Sequence, residues 1–334
     1  MKTLIAGFGS IGRRHFRNLL ALGETDILFY RTGRSELPTI KLEELAGYVV
    51  EHDLDAALGH QPDAVIVANP TAVHLDVAIP AAQAGAHMLL EKPVAHSLER
   101  VDELQAAVTA SGSRVLVGFQ FRYHPTLQAA AQLLGSGELG AALHARATWG
   151  EYLPDWHPWE QDFRQGYSAR ADLGGGVVFT LTHPIDYLRW LLGEVTEVQA
   201  RLGNTGALGL DVEEQADIII GLANGAQANL HLDYLQRPPI HELELVCAEG
   251  RLTWRAADGL LRVYRAATET WEDQRPPEGF ERNDLFLAQT RHFLEVVRDG
   301  LEPRCRLDDG VQTLKIALAA HEAHARGQRI ALKE

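Results

Sequence analysis

Short apolar runs alternate along the first third of the chain with stretches in which apolar residues recur at helical spacing. Residues 3–6, 27–30, 64–68, 87–91 and 114–119 are the apolar runs, and they read as strands. Residues 11–22, 53–58, 74–84 and 98–110 carry the helical spacing, the first closed by Gly23, which accepts the left-handed conformation favoured at a helix end. Strands apolar on both faces belong to parallel sheets, so this rhythm predicts an open parallel sheet covered by helices on both sides.

Beyond Phe121 the pattern changes. Residues 143–149 read as a half-exposed strand, and 216–222 and 226–235 form a hairpin turned by Asn224-Gly225, a pair that tolerates positive φ. Residues 243–247 and 252–254, joined across Glu249-Gly250, extend the meander, with 260–264 as a further strand. Helices are expected over 185–192, 285–298 and 311–324. A chain of 334 residues exceeds what one core usually organises. The division expected is an α/β domain over 1–121 and a second α/β domain over 122–334 with an open-faced, largely antiparallel mixed sheet.

Composition narrows the partners. The net charge of −14 repels a phosphate backbone, and no Lys/Arg stripe offsets it, which argues against nucleic acid and anionic membranes. No uncharged run is long enough to span a bilayer, and the apolar start leads directly into a glycine turn without room for a signal-peptide core. The two cysteines, Cys247 and Cys305, form no CxxC pair, which suits a reducing, cytoplasmic setting. His321 with His324, and His231 with Asp233, read as solvated side chains, and no metal site is expected.

Gly7-Phe8-Gly9-Ser10-Ile11-Gly12 follows the first strand and opens the first helix, the context in which this glycine spacing signals a dinucleotide site. The first glycine permits the tight turn, the second lets the backbone approach a pyrophosphate, and the third allows close helix–strand packing. About 20 residues on, where a carboxylate would meet the ribose 2′-hydroxyl of NAD, stand Arg31, Thr32, Arg34 and Ser35. Two guanidiniums and two hydroxyls can clasp a 2′-phosphate, so the cofactor expected is NADP(H), with NAD(H) the alternative.

Three successive strand ends carry polar residues suited to the ligand edge of such a sheet. These are Asn69-Pro70-Thr71 with His74, Glu91-Lys92-Pro93, and Gln120 with Arg122 and Tyr123. Together with the glycine fingerprint and Gly174-Gly175-Gly176 leading to His183-Pro184-Ile185-Asp186, they resemble the glucose-fructose oxidoreductase and inositol dehydrogenase (Gfo/Idh/MocA) family, over essentially the whole chain. The resemblance implies a Rossmann domain followed by an α/β domain whose open sheet often mediates oligomerisation, here a homodimer or homotetramer. It implies that Lys92 and His183 face a nicotinamide, and that the Lys92–Pro93 bond is cis. Hydride leaves a carbinol carbon only as its hydroxyl proton is removed, a role His183 suits, while Lys92 would stabilise alkoxide character. The chain departs from the family at Thr180, where many relatives have Asp. That departure motivates a second reading, a non-catalytic dinucleotide- or sugar-binding regulator.

Tyr152 to Trp159, with Tyr167 downstream, is a long aromatic segment of the kind that forms lids and binding loops. Trp156, Trp159, Tyr167, Arg122, Tyr123 and Asp186 are the candidates for contacts with a sugar, whose faces mix C–H and hydroxyl.

Overall fold

The computed structural model describes residues 1–33, 42–157 and 162–332, so Arg34 and Trp159 lie outside the described residues. Six parallel strands form the N-terminal sheet: β1 (Thr3–Ala6), β2 (Ile27–Tyr30), β3 (Val49–Glu51), β4 (Ala64–Val67), β5 (His87–Leu90) and β6 (Val115–Val117). Their order is β3-β2-β1-β4-β5-β6. Helices α1 (Ser10–Ala21), α2 (Leu54–Gly59), α3 (His74–Gln83) and α4 (Val101–Ser111) alternate with them. Every residue of β1 and β4 is buried, as the apolar character of Leu4 to Ala6 and Ala64 to Val67 requires. Each such Leu, Ile or Val side chain withdrawn from water contributes about 1.5–3 kcal/mol.

The second part contains α5 (Pro125–Gly135), β7 (Ala142–Gly150), α6 (Val177–Thr180), α7 (His183–Leu192), β8 (Val195–Gly203), β9 (Gln215–Leu222), β10 (Gln227–Asp233), β11 (Ile240–Cys247), β12 (Gly250–Arg255), β13 (Leu260–Arg265), β14 (Thr270–Gln274), α8 (Arg282–Arg298), α9 (Leu307–Arg326) and β15 (Ile330–Ala331). One mixed sheet runs β14-β13-β12-β11-β7-β10-β9-β8-β15. Only the β7–β10 pair is parallel among these described strands. Ala145, Ala147, Trp149, Leu230 and Leu232 line its buried face, whereas Arg146, Ile219 and Asn229 lie on the open one. Cys247 and Cys305 are buried free thiols. No described helix is long and apolar enough to cross a membrane.

The chain's last helices return to the first sheet. Helix α8 packs on α1, with the Arg14 guanidinium 4.4 Å from the Phe286 ring centre and Asn283 Nδ2 donating to Asn18 Oδ1 at 2.9 Å. The amide of Val117 donates to Cys305 O at 2.9 Å, and Gly310 of α9 lies flat against Val94 and Val117.

Candidate active site

Strand order reverses between β1 and β4, the place where open parallel sheets receive ligands. Gly7 has φ +98°, and a Cβ there would stand 2.7 Å from Ala68 O. A Cβ on Gly12 would stand 2.2 Å from Gly7 O, whereas one on Gly9 would meet nothing within 4 Å. The loop is thus closed against β4 and open beside Gly9, and the first turn of α1 offers its unpaired amides there. These residues fit a dinucleotide diphosphate. Ser10 is exposed and Ile11 half-buried at this mouth. Phe8, expected among the cofactor contacts, turns inward instead, packing edge-on to Phe16 and Phe29, so only its backbone faces the loop. Arg31 is half-buried at the end of β2, with its carbonyl 2.6 Å from His52 Nδ1, and Thr32 is exposed beside it.

Past β5 the chain enters Glu91-Lys92-Pro93, and the Lys92–Pro93 bond is cis, as the resemblance implies. Lys92 Nζ donates to Thr180 O at 2.6 Å, joining the edge of the first sheet to the end of α6. Glu91 is buried behind it. Its Oε1 lies 2.7 Å from His15 Nε2 and its Oε2 accepts from Lys92 N at 3.3 Å. Burial raises the Glu91 carboxyl, but the His15 hydrogen bond and the neighbouring positive charges outweigh it, leaving the group below its ordinary value. His74, expected at the cofactor, serves as a strut: Nδ1 lies 2.9 Å from Pro93 O and Nε2 2.9 Å from Asn69 O. Asn69 Nδ2 donates to Val73 O, Pro70 is exposed, and Thr71 is buried where Gly174 packs on it.

The triple glycine owes its composition to close contacts. A Cβ on Gly175 would lie 2.3 Å from Tyr167 O and one on Gly176 2.4 Å from Glu213 Oε1. Behind it, α6 delivers Thr180 and α7 begins at His183. His183 is 3% exposed, with Trp149 stacked beside it at 5.4 Å and the edges of Phe119 and Phe121 against it. Its Nε2 lies 3.1 Å from Gln120 Nε2, and its Nδ1 is buried without a hydrogen-bond partner. Burial, then the positive charge of Lys92, hold the imidazole well below its ordinary pKa, so it is neutral at pH 7. Trp149 is itself stacked on His241 at 4.2 Å. Because the Gln120 amide nitrogen can only donate, the uncharged ring carries its proton on Nδ1, and Nε2, near an ammonium in an apolar pocket, is the nitrogen that can accept a proton from a bound hydroxyl.

Other expected contacts lie elsewhere. Arg122 and Asp186 do not face the crevice as free groups; they form a buried ion pair, with Arg122 Nη2 to Asp186 Oδ1 at 2.7 Å and Nε to Oδ2 at 3.0 Å. Arg122 also donates to Arg304 O, and Asp309 bridges it to Arg189. Chain geometry explains this: the residues after β6 run beneath α7, so the pair fastens His183's helix to the first sheet. Tyr123 is likewise buried, its ring 5.4 Å from the Arg304 guanidinium. Trp156 and Tyr167 lie on the segment ahead of the triple glycine. Trp156 packs edge-on to Tyr234, whose hydroxyl donates to Ser168 O at 3.2 Å, and Tyr167 is exposed at the rim.

Sequence reasoning missed His15, Tyr234, Glu213 and His241, which no local motif marks. Glu213 accepts from Val178 N at 3.1 Å, and burial pushes its carboxyl up to about 7. His321, expected in solvent, stacks on Phe179 at 4.9 Å with Nε2 3.7 Å from Glu213, and burial lowers it to about 4.

Residues 1–119 match the oxidoreductase family with NAD-binding Rossmann fold, and residues 127–253 match the GFO/IDH/MocA C-terminal domain. The chain belongs to the Gfo/Idh/MocA family. It is an oxidoreductase of that family, with the Rossmann domain and mixed second sheet that its sequence led one to expect. An uncharacterized oxidoreductase of Bacillus subtilis is 27% identical across 99% of this chain and 96% of its own length. D-xylose 1-dehydrogenase (NADP(+)) 2 of Haloferax volcanii is 26% identical across 81% of this chain and 80% of its own. Among solved structures, levoglucosan dehydrogenase in complex with NADH and levoglucosan shares the fold, with a TM-score of 0.88 at 20% identity over 100% of both chains.

Proposed function

We propose that this Gfo/Idh/MocA protein is an NADP(H)-preferring dehydrogenase that moves a hydride between the nicotinamide ring and a carbinol carbon of a sugar, cyclitol or sugar-nucleotide. The observation that carries the reading is the meeting of Lys92 Nζ with Thr180 O at 2.6 Å, which brings an ammonium from one sheet edge to the segment bearing a neutral, buried His183. The bound cofactor supplies the hydride acceptor or donor. In oxidation, Lys92 holds the substrate oxygen and stabilises its growing negative charge. As the C–H bond breaks with its electron pair, the hydroxyl proton passes to Nε2 of His183, the nitrogen that faces the Gln120 amide and so carries the lone pair; reduction returns it. Thr180, where the family resemblance implies an Asp in many members, contributes its carbonyl as the anchor for Lys92.

Supporting the substrate class are the exposed Tyr167, whose carbonyl packs on Gly175, and relatives named for D-xylose and scyllo-inositol. The phosphate preference rests on Arg31 and Arg34 with no carboxylate between Tyr30 and Gly33. The relatives' own names divide, NADP(+) for the xylose enzyme and NAD(+) for the inositol enzyme. Its setting is read as the reducing cytoplasm, and its assembly as a homodimer or homotetramer through the open sheet face.

The test is turnover of NADP+ and NAD+ with a panel of D-xylose, levoglucosan and scyllo-inositol, for the natural chain and Lys92→Ala. Loss of a charge-stabilising donor should lower kcat about 10²- to 10³-fold and leave NADPH affinity within a few-fold. Undiminished turnover by Lys92→Ala would remove the catalytic assignment. Absence of turnover by the natural chain, with NADPH still bound, would favour a regulator.

A further inference from the structure

We propose that His15 is a positioning residue for Lys92, coupling the helix that cradles the dinucleotide to the ammonium that acts on the substrate. The proposal rests on the reading of Lys92 as the catalytic ammonium. His15 lies on α1, three residues past Gly12 and on the same side of the helix, and it is fully buried. An ionised carboxylate can only accept, so the 2.7 Å contact with Glu91 requires the proton on His15 Nε2. Nδ1 is buried without a hydrogen-bond partner, so among the described residues this is the ring's single hydrogen bond.

Glu91 in turn is held on each side. One oxygen takes the imidazole; the other takes the amide of Lys92 at 3.3 Å. Its carboxyl lies so close over Gly118 that a Cβ there would come within 2.9 Å of Oε2, so β6 leaves room for this carboxylate and for little else. The edge of the Phe286 ring, from α8, closes the other side of His15. The peptide preceding Lys92 is therefore fixed from α1 through two side chains, while Lys92 Nζ is fixed from the second sheet through Thr180 O. A movement of α1 when its first turn takes up a diphosphate reaches Lys92 along this path. Without His15, the carboxylate would have to turn away or take up a proton. Either change frees Lys92 Nζ from its anchor or lowers the local negative charge, and both make the amine more reactive.

The chain has five lysines, Lys2, Lys41, Lys92, Lys315 and Lys333, so the amine at 92 can be followed individually. Trace acetylation with acetic anhydride, read by peptide mass spectrometry with Lys315 as internal reference, is applied to the cofactor-free natural chain, His15→Leu and His15→Gln. A Gln amide can replace the Nε2–H donor; Leu cannot. We expect Lys92 to acetylate about threefold faster or more in His15→Leu and at the natural rate in His15→Gln. In turnover with the polyol panel, His15→Leu should lose about 10- to 100-fold in kcat, as a misplaced catalytic group does, with NADPH affinity nearly unchanged. Unaltered labelling in a folded His15→Leu chain, or equal losses in the Leu and Gln variants, would overturn the proposal. So would a fall in NADPH affinity as large as the fall in kcat, since that places the effect in the phosphate cradle. Should His15→Leu not fold, His15→Asn, polar but too short to reach Glu91, replaces it under the same expectations. If the natural chain turns over no polyol, the dehydrogenase reading falls, and the labelling still decides whether His15 governs Lys92.

Discussion

His183 and Glu213 are displaced from their ordinary acidities in opposite ways, and each displacement has a measurable consequence. An imidazole held well below its usual value stays neutral as the medium is acidified, so kcat/KM for oxidation should remain flat down through pH 6.5 and fall only below the ordinary histidine range. An inflection near pH 6.5 would assign the proton to another group. Glu213, raised to about 7 against about 4.5 for a free glutamate, is protonated in the folded chain over a range where the unfolded chain has already ionised. The folded state then binds the extra proton, so stability declines as pH rises from about 4.5 to 7 and stays reduced above that. At 1.36 kcal/mol for each pKa unit, the cost reaches about 3 kcal/mol, and Glu213→Gln should melt higher than the natural chain at pH 8 but not at pH 4.5. Thermal scans at both pH values check it. At this scale the sequence exposed those residues that sit in local motifs, Gly7 to Gly12, Lys92 and His183. It hid Glu213 and Tyr234, which reach the site only because β9 and β10 place the ends of distant segments side by side.

Among the elements, hydrophobic pattern located nearly all of the first sheet and failed where pattern and burial part company. Strand β3 exposes Val49 at the sheet's border, and β14 buries none of its five residues, so neither shows the signature of a packed strand. In β8 the buried residues Val195, Val198 and Leu202 fall three and four apart, a helical spacing, because a register shift between Val195 and Glu197 changes which side chains face inward. The contacts of Arg122 depart from its sequence position for a related reason. Its place after β6 suggested the crevice, but the α7 carboxylate it meets is a tertiary neighbour. Helix α7 is thereby tied down by an ion pair with almost no exposure, and Arg122→Ala leaves Asp186 charged and alone. That loss should cost about 3–5 kcal/mol, visible as a lower midpoint in urea unfolding. A shift below about 1 kcal/mol would mean that Asp186 finds another partner.

For the whole molecule, the two open questions are cofactor choice and assembly. Arg31→Ala should weaken NADPH about tenfold or more relative to NADH in paired fluorescence titrations, as loss of a charge-assisted phosphate contact does. Equal weakening of both would reverse the preference. Ile219 stands 46% exposed on the open sheet face, and Ile219→Lys should shift the assembly toward monomers in sedimentation velocity if that face joins the subunits. The tie between Val117 and Cys305 carries a practical lesson for protein engineers. A nucleotide-binding module cut from this chain after its sixth strand would lack α8 and the lip that shields that strand, uncovering Arg14, His15 and Asn18 of α1 and leaving an open strand border prone to aggregation. Chimeras that trade catalytic specificity between relatives should therefore exchange an internal cassette, keeping the parental C-terminal helices with the parental N-terminus.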